Sequence, residues 1–185
     1  QLFHPAFEDI NVVKVSEGII NFSKQQNPPA KEMVEAYSEI MEKFQAIADA
    51  ENAEKAKEAG KEGIAFLEEN AKKEGISVTE SGLQYEVIEA GEGDKPTAGN
   101  EVTVDYEGTT IDGKVFDSSY ARGEKISFGL GQVIKGWTEG LQLMSPGAKY
   151  KFYIPQELAY GERGAGADIP AYAALIFTVE LYSFK

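Results

Sequence analysis

The 185-residue chain has no cysteine. That excludes a disulfide, a thiolate nucleophile and a cysteine-ligated metal, and it leaves the redox compartment open. Histidine is nearly as scarce, since His4, near the terminus, is the single one. A Ser-His-Asp triad, a histidine-rich zinc site and a histidine general base in the C-terminal half are therefore not expected. Basic residues are outnumbered by acidic ones, 18 to 31, for a net charge of −13. Such a surface argues against a nucleic-acid binder, which needs a basic patch to neutralise phosphates, and against an electrostatic membrane anchor. No apolar run approaches the roughly 18 residues of a membrane span. With 42% hydrophobic and 26% charged residues, the composition is that of an ordinary globular protein. Any chemistry must run without cysteine and almost without histidine.

Sequence pattern, not charge, divides the chain. The acidity is shared almost evenly about Gly75, −6 before and −7 after, but four glycines precede residue 76 and fifteen follow. Before Gly75 the period is helical. Phe7–Ser23 predicts a short helix, with Ile10, Val13, Ile19, Ile20 and Phe22 available for an apolar face; Asn27-Pro28-Pro29 breaks it. From Lys31, Met33, Val34, Tyr37, Ile40, Met41, Phe44 and Ile47 follow the i, i+3, i+4, i+7 spacing of one buried stripe. From Ala48 to Gly63 nothing apolar exceeds alanine, and such a helix is expected to be exposed on all sides. Ile64, Phe66 and Leu67 resume the pattern, and Gly75 is a suitable C′ stop. Lys31–Glu74 reads as one stalk helix that Gly60 and Gly63 could bend; two helices joined by an acidic linker are the alternative. A helical base of this size cannot easily bury its stripe alone, so pairing with a second copy is expected.

After Gly75 the period is two. Leu83–Ile88, Val102–Tyr106, Lys149–Ile154 and Ala174–Tyr182 alternate or run apolar as strands, and Asp112-Gly113 marks a tight turn. One short helix is predicted over Ile134–Met144, with Trp137, Leu141 and Met144 inward. The fold class is α+β: a helical first segment with a long stalk, then an antiparallel sheet of about five strands wrapped on one short helix. The predicted boundary separates a helical dimerisation region and stalk, residues 1–75, from a second domain, residues 76–185.

Gly129-Leu130-Gly131 and the following Gly136 lack the spacing of a dinucleotide loop, and no Gly-Lys-Ser/Thr of a P-loop is present. The carboxylates have no metal-ligand spacing. No metal and no cofactor are expected. What stands out is aromatic: thirteen aromatic residues from Tyr106 to Phe184, among them Phe116, Phe128, Trp137, Tyr160 and Phe177. One small helix facing one sheet needs fewer, and an aromatic-lined concavity with a few polar groups is a default ligand site.

Several segments then fall into a known series: Val104-Asp-Tyr106-Glu-Gly108, Phe116-Asp117-Ser118-Ser119, Val133-Ile134-Lys-Gly136-Trp137, Met144-Ser-Pro-Gly147, Leu158-Ala159-Tyr160-Gly161, Ile169-Pro170 and Leu175–Leu181. In order and spacing they resemble the FKBP-type peptidyl-prolyl cis-trans isomerases over residues 80–183. The helical half, the stalk and Ser81-Gly82-Leu83-Gln84-Tyr85 are similar to the macrophage-infectivity-potentiator branch of that family.

The resemblance implies catalysed cis/trans rotation of X-Pro bonds in protein folding. That reaction's barrier of about 18–20 kcal/mol comes from amide resonance, and crossing it needs neither nucleophile nor proton shuttle. It also implies the roles. Trp137 forms the floor for the proline ring, and Tyr106, Phe116, Val133, Ile134 and Phe177 line the walls. The Ile134 N–H holds a substrate carbonyl and the Tyr160 hydroxyl bonds the substrate backbone. Asp117 meets the twisting amide, with Arg122 and Tyr106 positioning it, or else merely caps the Ser118-Ser119 turn. Ile126, Ala159 and Ile169 complete the rim. The implied partners are proline-containing polypeptides, macrolide inhibitors and a second copy of the chain through the N-terminal helices. The implied location is the bacterial periplasm or envelope, with the cytoplasm as the alternative. A peptide-binding holdase chaperone with weak catalysis is the competing function. The loop Glu162–Ala171 departs from the family at Ala165, Asp168 and Ala171, where many members carry other residues, so substrate preference and inhibitor affinity are open there.

Overall fold

A computed structural model describes residues 31–185. The expected helix over Phe7–Ser23, the break at Asn27-Pro28-Pro29 and His4 lie outside the described residues. The chain divides into two compact units, Gln1–Glu54 and Lys55–Lys185.

Helix α1 runs unbroken from Lys31 to Asn70, 40 residues. Alanine, glutamate and lysine favour it throughout, and pairs at i,i+4 and i,i+3 such as Glu39–Lys43 and Glu58–Lys61 add to it. In the first unit Val34, Tyr37, Met41 and Phe44 are 48–65% exposed. Ala48–Lys55 is exposed throughout, as the absence of an apolar face predicts. From Ala56 onward the expectation of full exposure fails. Ala56 and Gly63 are buried and Ala59 and Gly60 half-buried, because small residues here form the contact face. Gly60 and Gly63 lie within unbroken helix and meet Tyr172 and Ala174, which explains them by close approach rather than by a bend.

The helix stops at Asn70, four residues short of the predicted Glu74. Lys72 N–H donates to Glu69 O and Lys73 N–H to Asn70 O, so the chain tightens into turns. The Asn70 side chain, 1% exposed, is meanwhile committed to tertiary bonds. Its Nδ2 donates to Gln84 Oε1 at 3.0 Å, and Gln84 Nε2 donates to Leu67 O at 2.8 Å. Phe66 packs 6.0 Å from Tyr153. These contacts fasten the end of α1 to the outer face of the sheet.

The strands are β1 (Ile76–Val78), β2 (Gln84–Glu89), β3 (Glu101–Thr110), β4 (Val115–Ser118), β5 (Ile126–Gly129), β6 (Lys149–Ile154) and β7 (Leu175–Phe184). The sheet is seven-stranded and antiparallel, ordered β1-β2-β6-β7-β3-β4, with β5 also on β3. The four strands read from alternation are all present. The others, β1, β4 and β5, have three or four residues, too few to display a period. Two α-helices accompany the sheet, α2 (Ser119–Arg122) and α3 (Lys135–Leu141), with three 3-10 turns. The predicted helix is therefore shorter than Ile134–Met144, and α2 was not foreseen.

Alternation places Val102, Val104, Tyr106 and Gly108 of β3 on the inner face beside Leu175, Phe177, Val179 and Leu181 of β7. Phe152 and Ile154 of β6 continue that face. Helix α3 lies against it with Trp137 and Leu141 buried. Gly136 and Gly140 bring α3 close to β6: a Cβ on Gly140 would stand 2.6 Å from Phe152 Cε1, and one on Gly136 2.5 Å from Ile154 Cγ2.

Candidate functional site

The site is built where α3 faces the centre of the sheet. Tyr106 on β3, Trp137 on α3 and Phe177 on β7 form a ring cluster. Tyr106 and Phe177 each meet Trp137 edge-on, at 5.0 and 5.2 Å between centroids. Phe116 on β4 stands edge-on to Phe177 at 5.5 Å. Edge-to-face packing is the arrangement that ring quadrupoles favour. Gly108 makes the Phe116–Phe177 pairing feasible, since a Cβ there would lie 2.7 Å from atoms of both rings.

Polar groups border the rings. The Tyr106 hydroxyl donates to Asp117 Oδ2, Arg122 Nη1 pairs with Asp117 Oδ1, and Arg122 Nη2 donates to the Tyr106 hydroxyl at 3.0 Å. Burial works to raise the Asp117 pKa, but the bonds from Tyr106 and Arg122 outweigh it and hold the carboxyl below the usual range. Burial, then the bond to Asp117, pushes the Tyr106 phenol up. The result is an ionised carboxylate and a neutral phenol at neutral pH. The cap of α2 is Ser118, whose hydroxyl accepts from Ala121 N–H. The Asp117 carboxylate serves the tyrosine and arginine.

Two donors are unspent. Among the described residues nothing accepts a hydrogen bond from the Ile134 N–H, at the start of α3, or from the Tyr160 hydroxyl, between two 3-10 turns. Tyr160 is 40% exposed, and burial followed by the Asp117 charge raises its pKa. Trp137 Nε1 is, among the described residues, the buried side-chain polar atom without a partner. Unsatisfied buried donors are few in folded proteins and cost roughly 1–3 kcal/mol.

The remaining predicted residues join the same apolar cluster. Ile169, 7% exposed, belongs to its buried part, and Ile126, Val133, Ile134 and Ala159 pack against it half-buried. The loop bearing Ile169 closes on itself through reciprocal bonds with Ala165, at 2.9 and 3.1 Å.

Three features had been given no role from the sequence. Phe128 stands 5.3 Å from Trp137; the spacing Ile126-Ser127-Phe128 put it on the same face as Ile126 and was the available signal. Ser119 is fully buried, accepts from Tyr106 N–H at 2.8 Å and donates to Asp105 Oδ1 at 2.7 Å. Lys114 pairs with Asp168 at 2.6 Å, tying the β3–β4 turn to the loop that departs from the family pattern. Neither of these last two had a local signal.

The geometry thus brings together an edge-packed aromatic cluster, two donors without a protein acceptor and one paired carboxylate. Comparison with known proteins gives the family. The model for FKBP-type peptidyl-prolyl cis-trans isomerases matches residues 92–182, and the model for the domain amino-terminal to them matches residues 1–87. An Escherichia coli protein named FKBP-type 22 kDa peptidyl-prolyl cis-trans isomerase is 46% identical over 183 residues, covering 98% of this chain and 87% of that one. The Outer membrane protein MIP of Legionella longbeachae is 46% identical over 155 residues, 82% of this chain and 66% of that one. The crystal structure of FkpA from Escherichia coli superposes with a TM-score of 0.79 at 37% identity, over 95% of this chain and 83% of that one. The chain belongs to the FKBP-type peptidyl-prolyl cis-trans isomerases and is an enzyme of that activity.

Proposed function

We propose that the site accelerates X-Pro rotation by binding the twisted amide better than the planar one. Planar amides owe their charge separation to resonance, and twisting removes it. A dry aromatic floor therefore discriminates in favour of the twisted state. Trp137 receives the proline ring, with Tyr106, Phe116, Val133, Ile134 and Phe177 as walls and Ile126, Ala159 and Ile169 as rim. The Ile134 N–H takes a substrate carbonyl and the Tyr160 hydroxyl a second backbone group. Asp117, held ionised by Tyr106 and Arg122, sets the field at the rotating bond. The observation that carries this reading is the coincidence of the edge-packed floor with two unspent donors. A protease-coupled assay on an X-Pro tetrapeptide tests it. Acceleration that a macrolide abolishes, and that Tyr160→Phe lowers severalfold, supports the roles; full turnover in Tyr160→Phe refutes that of Tyr160.

Residues 76–185 are proposed as the catalytic domain and residues 1–75 as a dimerisation region and stalk. The exposed Val34, Tyr37, Met41 and Phe44 of α1 support pairing with a second copy. Sedimentation of the full chain tests this, and a monomer at micromolar concentration refutes it. A bacterial envelope location is proposed from the relative named as an outer membrane protein. Among the described residues no helix is long and apolar enough to cross a membrane.

A further inference from the structure

The contact between α1 and the loop preceding β7 has no part in the mechanism above. Both sides of it belong to the Lys55–Lys185 unit. A Cβ on Gly60 would stand 3.3 Å from Tyr172 Cβ, and one on Gly63 3.1 Å from Ala174 Cβ. The helix backbone thus rests directly on the loop. At that point the loop holds an unusual conformation. Among the described residues Tyr172 is the one non-glycine residue with positive φ, 62°. An L-residue enters the left-handed region only where its surroundings hold it there. Two neighbours do so here. Gly60 closes one side, and on the other the Tyr172 N–H donates to Gly161 O at 2.8 Å. Gly161 follows Tyr160 directly and itself has φ of 57°.

The helix therefore reaches the site in three links: Gly60 against Tyr172, Tyr172 bonded to Gly161, and Gly161 joined to Tyr160. We propose that Tyr172 is a positioning residue, clamped by Gly60 of α1, and that its bond to Gly161 sets where the Tyr160 hydroxyl stands. The proposal rests on the reading of Tyr160 as a substrate-binding group. The loop has room to answer a push from the helix. A cleft of about 280 Å³, bordered by Ile64 and Leu67 on one side and Pro155 and Gln156 on the other, runs beside the contact. The rim of the site is then set partly by a helix that touches no substrate.

The test is Gly60→Val in the full chain, with Glu62→Val on the exposed side of the same helix as control. The new side chain at residue 60 must displace Tyr172. Misplacing a substrate-positioning group by 1 Å can cost about a hundredfold, so a shift of a few tenths of an ångström should lower kcat/KM for an X-Pro tetrapeptide about three- to tenfold. Backbone amide NMR signals of Tyr160 and Gly161 should move, and Glu62→Val should change neither readout. In a Tyr160→Phe background the loss caused by Gly60→Val should shrink to less than about twofold, because coupled residues are non-additive. Unmoved Tyr160 and Gly161 amides, or an equal loss in both backgrounds, overturns the proposal. Shifted amides with full turnover in Tyr160→Phe alone would uphold the coupling and refute the role of Tyr160. Should Gly60→Val fail to fold, Gly60→Ala makes the same demand at smaller amplitude and is read the same way.

Discussion

Adding one methyl group to α3 should destabilise the catalytic half of the chain, although helix propensity favours the change. Replacing glycine by alanine in a helix interior gains roughly 1 kcal/mol from propensity alone. At Gly140 the new Cβ would lie 2.6, 2.9 and 3.0 Å from three atoms of the Phe152 ring. Carbon atoms are comfortable at about 3.5–4.0 Å, so helix and ring must separate by close to 1 Å. Phe152 is 1% exposed, paired with Phe177 across the sheet and surrounded by core, so the ring has no free direction in which to yield. Overpacking of this kind costs about 1–3 kcal/mol. Three sub-van-der-Waals contacts with a ring that cannot yield place the cost in the upper part of that range, about 2–3 kcal/mol, so Gly140→Ala should lose about 1–2 kcal/mol net. For a chain of this size that lowers Tm by about 2–8 °C. Trp137, the single tryptophan, lies in the same short helix and reports the transition by its fluorescence. Displacing α3 also displaces the floor, so kcat/KM for an X-Pro peptide should fall severalfold with it. Gly136→Ala should act in the same direction through Ile154. Gly99→Ala, with nothing within 4 Å of its Cβ, should be neutral or slightly stabilising. An unchanged or raised Tm in Gly140→Ala would refute the close-approach account of α3.

Three other perturbations have defined outcomes. Asn70→Ala leaves Gln84 Oε1 buried without its donor, which should cost about 1–3 kcal/mol in a denaturant titration; a cost below 0.5 kcal/mol would show that the bond does not fasten α1. Stability and turnover should be flat from about pH 5 to 9. Asp117 is depressed, so its contribution is present above the unfolded carboxylate pKa and lost as pH falls through the lower folded value. Tyr106 is raised, so its contribution is complete below the unfolded tyrosine pKa and lost as pH rises through the higher folded one; a pH–rate profile with a limb near neutrality would contradict this assignment. Lys114→Ala should leave stability almost unchanged, and any loss should shrink in high salt, because the ion pair to Asp168 is more than half exposed on both sides; a salt-independent loss would show that Lys114 acts through packing.

Much of this protein is legible in its sequence. The absence of cysteine removed thiolate chemistry, and the single histidine near the terminus argued against histidine acid–base chemistry. Strands of six or ten residues announced themselves because a period of two is visible over that length. Tyr106 and Phe177 were identifiable because alternation on β3 and β7 turns them inward, and Trp137 by its helical spacing to Leu141, whereas Phe116 and Tyr160 came from the motifs of the family resemblance.

Tertiary structure decided what depends on distant residues meeting. Pairing of β3 with β4 brings Tyr106 to Asp117, and α2 then returns Arg122 to both; no local pattern in residues 106–122 states that outcome. Between Asp117 and Ser118, the fold gives the cap of α2 to the Ser118 hydroxyl, which accepts from Ala121 N–H. Alanine and glycine on α1 carry almost no hydrophobic signal, so the face that packs on Tyr172 and Ala174 read as solvent-exposed. Their value there is small volume, and small volume matters only once another element is known to lie 3 Å away. Sequence determined which side chains were available; the fold determined which of them are neighbours, because contact energies act in space and not along the chain.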